Sequence, residues 1–200
     1  MMIGKNSQSK NVYERIPKDV TMAELGVWKG ESSALFAKKT SFLYLVDSWS
    51  IEPYTNSNEH GNYQDYLNRY SELVGSTNPD DFQKYYDDVY RSVVDKFKDR
   101  NDVEIYRAST LEFFDWFART EQERLDVVYL DASHDYVTVL VDLIQCFETL
   151  LKRDTGILFG DDYGNKVGVK NAVDDFLMAH PGKYHFENFY GNQYQIKIKL

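Results

Sequence analysis

The sequence predicts an α/β fold: a mostly parallel sheet closed by a C-terminal antiparallel hairpin, with a helical insertion after the second strand. Three observations carry that reading. Short apolar runs, each ending at a small or acidic residue, alternate with segments of helical period, the pattern of strand and helix units in a parallel sheet. The tail departs from it. "KYHFENFY" and "QYQIKIKL" alternate apolar and polar residues on either side of Gly191-Asn192, a two-residue turn that accepts positive φ, so the last two strands should pair antiparallel. Between the second and third runs lie about 55 residues, too many for a simple crossover.

The elements follow in order. "TMAELG" (21–26) is a first strand and "GESSALFAKK" the helix after it; "SFLYLVD" (41–47) is the second strand. In the insertion, about 48–100, apolar and aromatic residues recur at helical spacing from Asn62 to Gly75 and from Asp80 to Lys98, so two helices are expected, with a mobile loop over 50–60. The insertion holds many of the chain's 16 tyrosines, which serve either the packing of an added helical layer or a substrate-facing lid. "DVEIYR" (102–107) leads into "ASTLEFFDWFART", and "LDVVYLD" (125–131) into "DYVTVLVDLIQCFETLLKR". The polar positions 138, 142, 145, 149 and 152 of that last helix form one narrow stripe, so the rest should lie against a sheet, with Cys146 as a small core residue. "GILFGDD" (156–162) is the fifth strand, and "VGVKNAVDDFLMAH" a helix ended by Pro181 and Gly182.

Composition narrows the function. A chain of 200 residues, 42% hydrophobic, suits one domain over 1–200 that buries roughly 70% of its unfolded surface. Lysine and arginine total 23 against 32 acids, a net charge of -9 that repels phosphate backbones, so no nucleic-acid partner is expected. Cys146 is the only cysteine and cannot form an internal disulfide. The first twenty residues hold no apolar stretch of signal-peptide length, and no window approaches the roughly 18 apolar residues of a membrane span. A soluble, cytoplasmic protein is the expectation, and the aromatic helical layer leaves a homo-oligomer open.

In an open parallel sheet, ligands bind beyond the carboxyl ends of the strands, near the point where strand order reverses. Those ends here are Glu24 to Gly30, Asp47, Arg107 to Thr110, Asp131 to Asp135 and Gly160 to Tyr163. Acids dominate, which suits hydroxyls, ammonium groups or a divalent cation better than phosphate. In "ELGVWKGES", Gly26 lets a ligand approach the backbone and Gly30 opens a helix N-terminus to an anion such as a carboxylate, although a plain strand-to-helix turn accounts for both. Asp47 can accept both hydroxyls of a ribose, or can simply form a turn. Jointly they imply a nucleoside ligand whose other end carries a carboxylate.

Asp131, Asp161 and Asp162 end the fourth and fifth strands, neighbours in such a sheet. Carboxylates held close repel unless a cation is shared between them, so a hard divalent ion, magnesium first, is the expected occupant; capping of the helices that follow is the alternative. His134, three residues after Asp131 and expected at the start of the fourth helix, suits a general base or a polar cap. His60 is a weaker candidate for the base, while His180 and His185 read as structural.

These residues resemble a known family. "AELGVWKGESS", "LVDSW", "VVYLDASHDY" and "GILFGDDY…GVKNAVDDF" together are similar to class I S-adenosylmethionine-dependent methyltransferases, nearest the macrocin O-methyltransferase and sugar O-methyltransferase branch, over residues 20 to 180 apart from the insertion. The resemblance implies a Rossmann-like seven-stranded sheet with a reversed last strand. It implies that Glu24, Gly26 and Gly30 lie in the turn that holds the methionine end of the cofactor, that Asp47 and Ser109 contact its ribose and adenine, and that Asp131 serves both cofactor and metal. Asp131, Asp161 and Asp162 match the family's magnesium ligands, the third being asparagine in catechol-type enzymes. His134 stands where those enzymes carry a lysine base, and Trp28 where many class I enzymes have glycine. The implied reaction is metal-assisted transfer of a methyl group to a hydroxyl of a small molecule such as a sugar.

Three alternatives stand beside it. A haloacid dehalogenase-like, magnesium-dependent phosphohydrolase would use a strand-end aspartate and a later "GDD", but needs a second acid where Ser133 stands. An NAD-dependent oxidoreductase should show G-x-G-x-x-G, which is absent. A non-catalytic cofactor-binding protein would keep the pocket alone.

Overall fold

The structure is a computed structural model that describes residues 5–55, 62–190 and 192–199. Its elements, in chain order, are α1 (Lys5–Arg15), β1 (Val20–Leu25), α2 (Glu31–Phe36), β2 (Thr40–Asp47), α3 (Glu52–Thr55), α4 (Tyr63–Val74) and α5 (Pro79–Phe97). There follow β3 (Val103–Arg107), α6 (Thr110–Arg119), β4 (Val127–Leu130), α7 (Tyr136–Gln145) with a π-helical turn (Cys146–Leu150), β5 (Ile157–Gly160), α8 (Val167–Ala179), β6 (Tyr184–Phe189) and β7 (Gln193–Ile198).

The strands form one sheet of order β3-β2-β1-β4-β5-β7-β6. The first five are parallel, and β7 enters antiparallel to both β5 and β6, so the tail closes the sheet as its alternation predicts. Of the expected turn, Gly191 lies outside the described residues. Strand order reverses between β1 and β4, and every residue of β4 is buried, which is why that run is continuously apolar rather than alternating. Alternate residues serve two cores. Ala23, Leu25, Val128 and Leu130 pack with Phe113, Leu143 and Phe176 of α6, α7 and α8; Met22, Leu43, Val127 and Tyr129 pack with Val12, Phe36 and Val93 of α1, α2 and α5.

The insertion contains the two expected helices. Asn62 and Asp65 form a reciprocal capping box at the start of α4, Gly75 ends it in the left-handed region, and Asn78 with Pro79 opens α5. Its tyrosines pack on one another: the rings of Tyr54 and Tyr66 stack at 4.3 Å between centroids, beside buried Leu67 and Phe82. The loop over 50–60 differs from expectation in its first half, where α3 forms; residues 56–60, with His60, lie outside the described residues.

Three further differences have local causes. α1, unmarked by strong periodicity, is held because Val12 and Ile16 are buried against the sheet. The fourth expected helix begins after His134, not at it, because the Asp135 side chain accepts from the amides of Val137 and Thr138 and so caps α7. Its polar stripe is not a solvent face. Asp142 is fully buried and accepts a hydrogen bond of 2.7 Å from the Thr110 hydroxyl of α6, whereas apolar Val137 and Ile144 are exposed. Cys146 is buried as expected. Among the described residues no helix is long and apolar enough to cross a membrane.

Candidate active site

The strand ends around the β1/β4 boundary bring most of the expected residues together. After β1 the chain turns through Gly26, with φ of 95°, to Gly30, which precedes α2 with φ of 65°. At Gly26 a side chain is doubly excluded: φ is left-handed, and a Cβ would collide with the Asp131 carbonyl and lie 2.8 Å from the Ala132 amide nitrogen. Trp28 also takes a positive φ, 49°, a strain of roughly 1–2 kcal/mol for a residue with a Cβ. The loop is held in that shape by Asp47. One oxygen of its carboxylate accepts from the amides of Val27 at 3.0 Å and Trp28 at 2.9 Å, and the other from the amide of Trp49 at 2.8 Å. Fully buried Trp49 donates its indole N–H to the Trp28 carbonyl at 2.8 Å. Asp47 is therefore a brace for this turn, its carboxylate already engaged by three amides.

Glu24 lies beneath this turn, fully buried, and accepts from the hydroxyls of Ser32 and Ser33. Burial pushes its carboxyl up to about 8; the two serine bonds act the other way and do not overcome it. At neutral pH this acid is mostly protonated, so it braces α2 without contributing a full charge. Ser109 caps α6: its hydroxyl donates to Glu112 at 2.7 Å and accepts from the Glu112 amide, a capping box at the carboxyl end of β3.

Beyond β4 and β5, one ligand atom from each of Asp131, His134 and Asp162 lies within 4.8 Å of the others. His134 Nε2 is 2.7 Å from Asp162 Oδ2. Burial acts to raise the Asp162 carboxyl, but the hydrogen bond and charge of His134, with lesser help from Asn165 and Lys166, outweigh it and the net shift is downward. Asp162 takes φ of 67°, turning its carboxylate toward His134. Asp161 points elsewhere: its side chain accepts from the amide of Asp162 at 2.8 Å and lies 3.5 Å from the Tyr129 hydroxyl. Of the expected acid trio, the structure thus clusters Asp131 and Asp162 and puts His134, not Asp161, beside them. The two successive acids of "GDD" take different partners here, Asp161 the amide of Asp162 and Asp162 the ring of His134.

Ser32 and Ser33 escape the sequence reading, and Arg107 is read there only as a strand end. Ser32 and Ser33 are marked only by the "ESS" after Gly30. Arg107 donates to the Trp49 carbonyl at 2.8 Å and pairs with Asp87 of α5, tying the insertion to the end of β3. His180 bonds the Phe176 carbonyl at 2.8 Å and His185 is exposed. Surface cavities of about 270 and 180 Å³ lie around Glu148, at the opposite end of β4 from these residues.

Residues 23–163, more than half of the chain, match the family described as Methyltransferase domain. The chain belongs to that family and is a class I S-adenosylmethionine-dependent methyltransferase. Its fold is shared with an O-methyltransferase from Bacillus cereus in complex with SAH, at a TM-score of 0.64 and 12% identity over 98% of this chain and 82% of that one. A precorrin-6y C5,15-methyltransferase from Geobacter metallireducens GS-15 matches at 0.59 and 13%, over 99% and 90%. An rRNA methylase from Streptococcus thermophilus matches at 0.57 and 10%, over 100% and 99%. At such identities the likeness concerns the fold. No curated protein matches the chain. Family membership disfavours the phosphohydrolase and oxidoreductase alternatives.

Proposed function

We propose that this methyltransferase acts on oxygen, with the assistance of a divalent metal such as Mg²⁺, and that its acceptor is a hydroxyl of a small molecule of the sugar or natural-product kind. The observation that carries the reading is the convergence of Asp131, His134 and Asp162 beyond β4 and β5, beside the Gly26 turn. Two carboxylates and an imidazole within 4.8 Å are a donor set that fits a divalent cation. Asp131 and Asp162 would hold the ion. Asp161 would act from behind, through the amide of Asp162.

S-adenosylmethionine, when bound, supplies an electrophilic sulfonium methyl group; the ion, when bound, lowers the pKa of a coordinated hydroxyl. The chain's own contribution is position and proton handling. The turn from Gly26 to Gly30, braced by Asp47, would receive the methionine end, with Asp47 and Ser109 toward ribose and adenine. His134, whose Nε2 lies 2.7 Å from Asp162 Oδ2 and is held in place by it, would take the hydroxyl proton. The net charge of -9 favours a small acceptor over nucleic acid. We further read residues 1–200 as one domain and the protein as cytoplasmic.

The test is Mn²⁺ binding followed by electron paramagnetic resonance, with S-adenosylmethionine binding followed by calorimetry. Asp162→Ala should weaken Mn²⁺ at least about tenfold, a loss of about 1.4 kcal/mol, and leave the cofactor within about threefold. Mn²⁺ binding that is absent, or indifferent to both Asp131→Ala and Asp162→Ala, would sink the metal-assisted reading.

A further inference from the structure

The halves of the acceptor site come from separate strand and helix units. His134 belongs to the strap from Asp131 to Asp135 that joins β4 to α7, while Asp162 opens the turn that runs into α8, its carbonyl accepting from the amides of Asn165 and Lys166. Gly168, in the first turn of α8, is where the two meet. A Cβ there would collide with the His134 carbonyl oxygen, would lie 3.1 Å from the Tyr136 amide nitrogen, and would approach the His134 carbonyl carbon to 3.4 Å. All are backbone atoms, which cannot swing aside as a side chain can. The φ of Gly168 is not left-handed, so close approach, not backbone conformation, demands glycine here. The strap is thus seated against two glycines from different elements: Gly26 meets the Asp131 carbonyl and Gly168 the His134 carbonyl.

We propose that Gly168 is a positioning residue: its missing side chain lets α8 seat against the strap and brings Asp162 within 2.7 Å of His134. This rests on the assignment of Asp131, His134 and Asp162 to the acceptor site. A methyl group at 168 forces α8 and the strap apart by roughly 1 Å, a displacement that costs about 100-fold where reacting groups must be aligned. The Gly26 end of the strap, and with it the cofactor turn, is left in place.

The experiment compares the parent, Gly168→Ala and Val167→Ala, whose side chain is on the same turn but 75% exposed. Gly168→Ala should bind S-adenosylmethionine within about threefold of the parent, bind Mn²⁺ at least about tenfold more weakly, and shift the His134 ring nitrogen signals at fixed pH toward those of Asp162→Asn. Val167→Ala should match the parent in all three. Mn²⁺ affinity within twofold of the parent together with unmoved His134 signals overturns the proposal. If the parent itself binds no Mn²⁺, the metal-assisted reading fails and the ring signals alone decide: moved, they support the positioning role; unmoved, they overturn it. Should Gly168→Ala fail to fold, a crystal structure of the parent decides, since room for a methyl group between Gly168 and the His134 carbonyl overturns the proposal and a closed contact supports it.

Discussion

Glu24 is an acid whose surroundings change its ordinary chemistry. Its native carboxyl titrates at about 8 against an ordinary 4.5, chiefly because it is fully buried. Between those values the folded chain holds a proton that the unfolded chain has released. Stability from this group is therefore full below pH 4.5 and falls as pH rises toward 8, by up to about 1.4 kcal/mol per pH unit. Glu24→Gln keeps the shape and an acceptor for one serine, and removes the titration. Its thermal midpoint should fall less steeply from pH 5 to pH 8 than that of the parent; equal slopes would mean that Glu24 ionises normally. The acid at this position was legible as an end of β1, because strand-end chemistry is written in the local sequence. Its burial was not, since that depends on α2 folding back so that Ser32 and Ser33 cover it.

Elements inherit both roles of the residues at their ends. Ser109 was expected as an adenine contact and also caps α6 through its box with Glu112. Ser109→Ala should cost about 1 kcal/mol in denaturant unfolding through the lost cap alone. A contact with adenine adds a second effect, a loss of S-adenosylmethionine affinity beyond about threefold at a temperature where the variant is folded; calorimetry separates the two. The capping of α6 could have been found from "STLE", a serine three residues before a glutamate. α7 shows the opposite case. Its polar positions form one narrow stripe, yet within it Asp142 is enclosed between α7 and α6 and only one of its oxygens is bonded among the described residues. A stripe records which face differs from the rest, and a neighbouring helix can occupy that face as readily as water.

For the whole molecule, two buried acids set the pH response. Glu24 and Asp142, the latter pushed up to about 7 by burial with the Thr110 bond opposing, both withdraw stability as pH rises above 4.5. Asp126, Asp162 and Asp174 are shifted the other way: burial acts to raise each, but Lys152 with Thr21, His134 with Asn165 and Lys166, and Lys170 with Tyr163 respectively outweigh it. Their stability is present above the ordinary value of 3.8 and lost as pH falls below it. The expected outcome is a maximum in unfolding free energy at about pH 4 to 5, followed by a decline toward pH 8 of up to about 1.4 kcal/mol per pH unit for each of the two acids. Denaturant titrations across that range check it, and a maximum at pH 7 or above would contradict the shifts of both buried acids.

The sequence by itself determined the succession of five parallel strands and a closing hairpin, the two helices of the insertion, and the strand ends at which the site lies. Each of these is carried by periodicity, turn chemistry or a residue type within a few positions, and so is readable locally. The tertiary structure decided which side chains at those ends face one another. "GDD" gives two candidate acids, but the left-handed φ of Asp162 turns one toward His134 and leaves Asp161 beside Tyr129. Asp47 read as a ligand for ribose, and only the return of the Gly26 turn over β2 makes it a brace for the amides of Val27 and Trp28. Contacts between residues 20 to 100 positions apart have no local signature, because they depend on how the elements are stacked, and it is that stacking which gathers Asp131, His134 and Asp162 into one place.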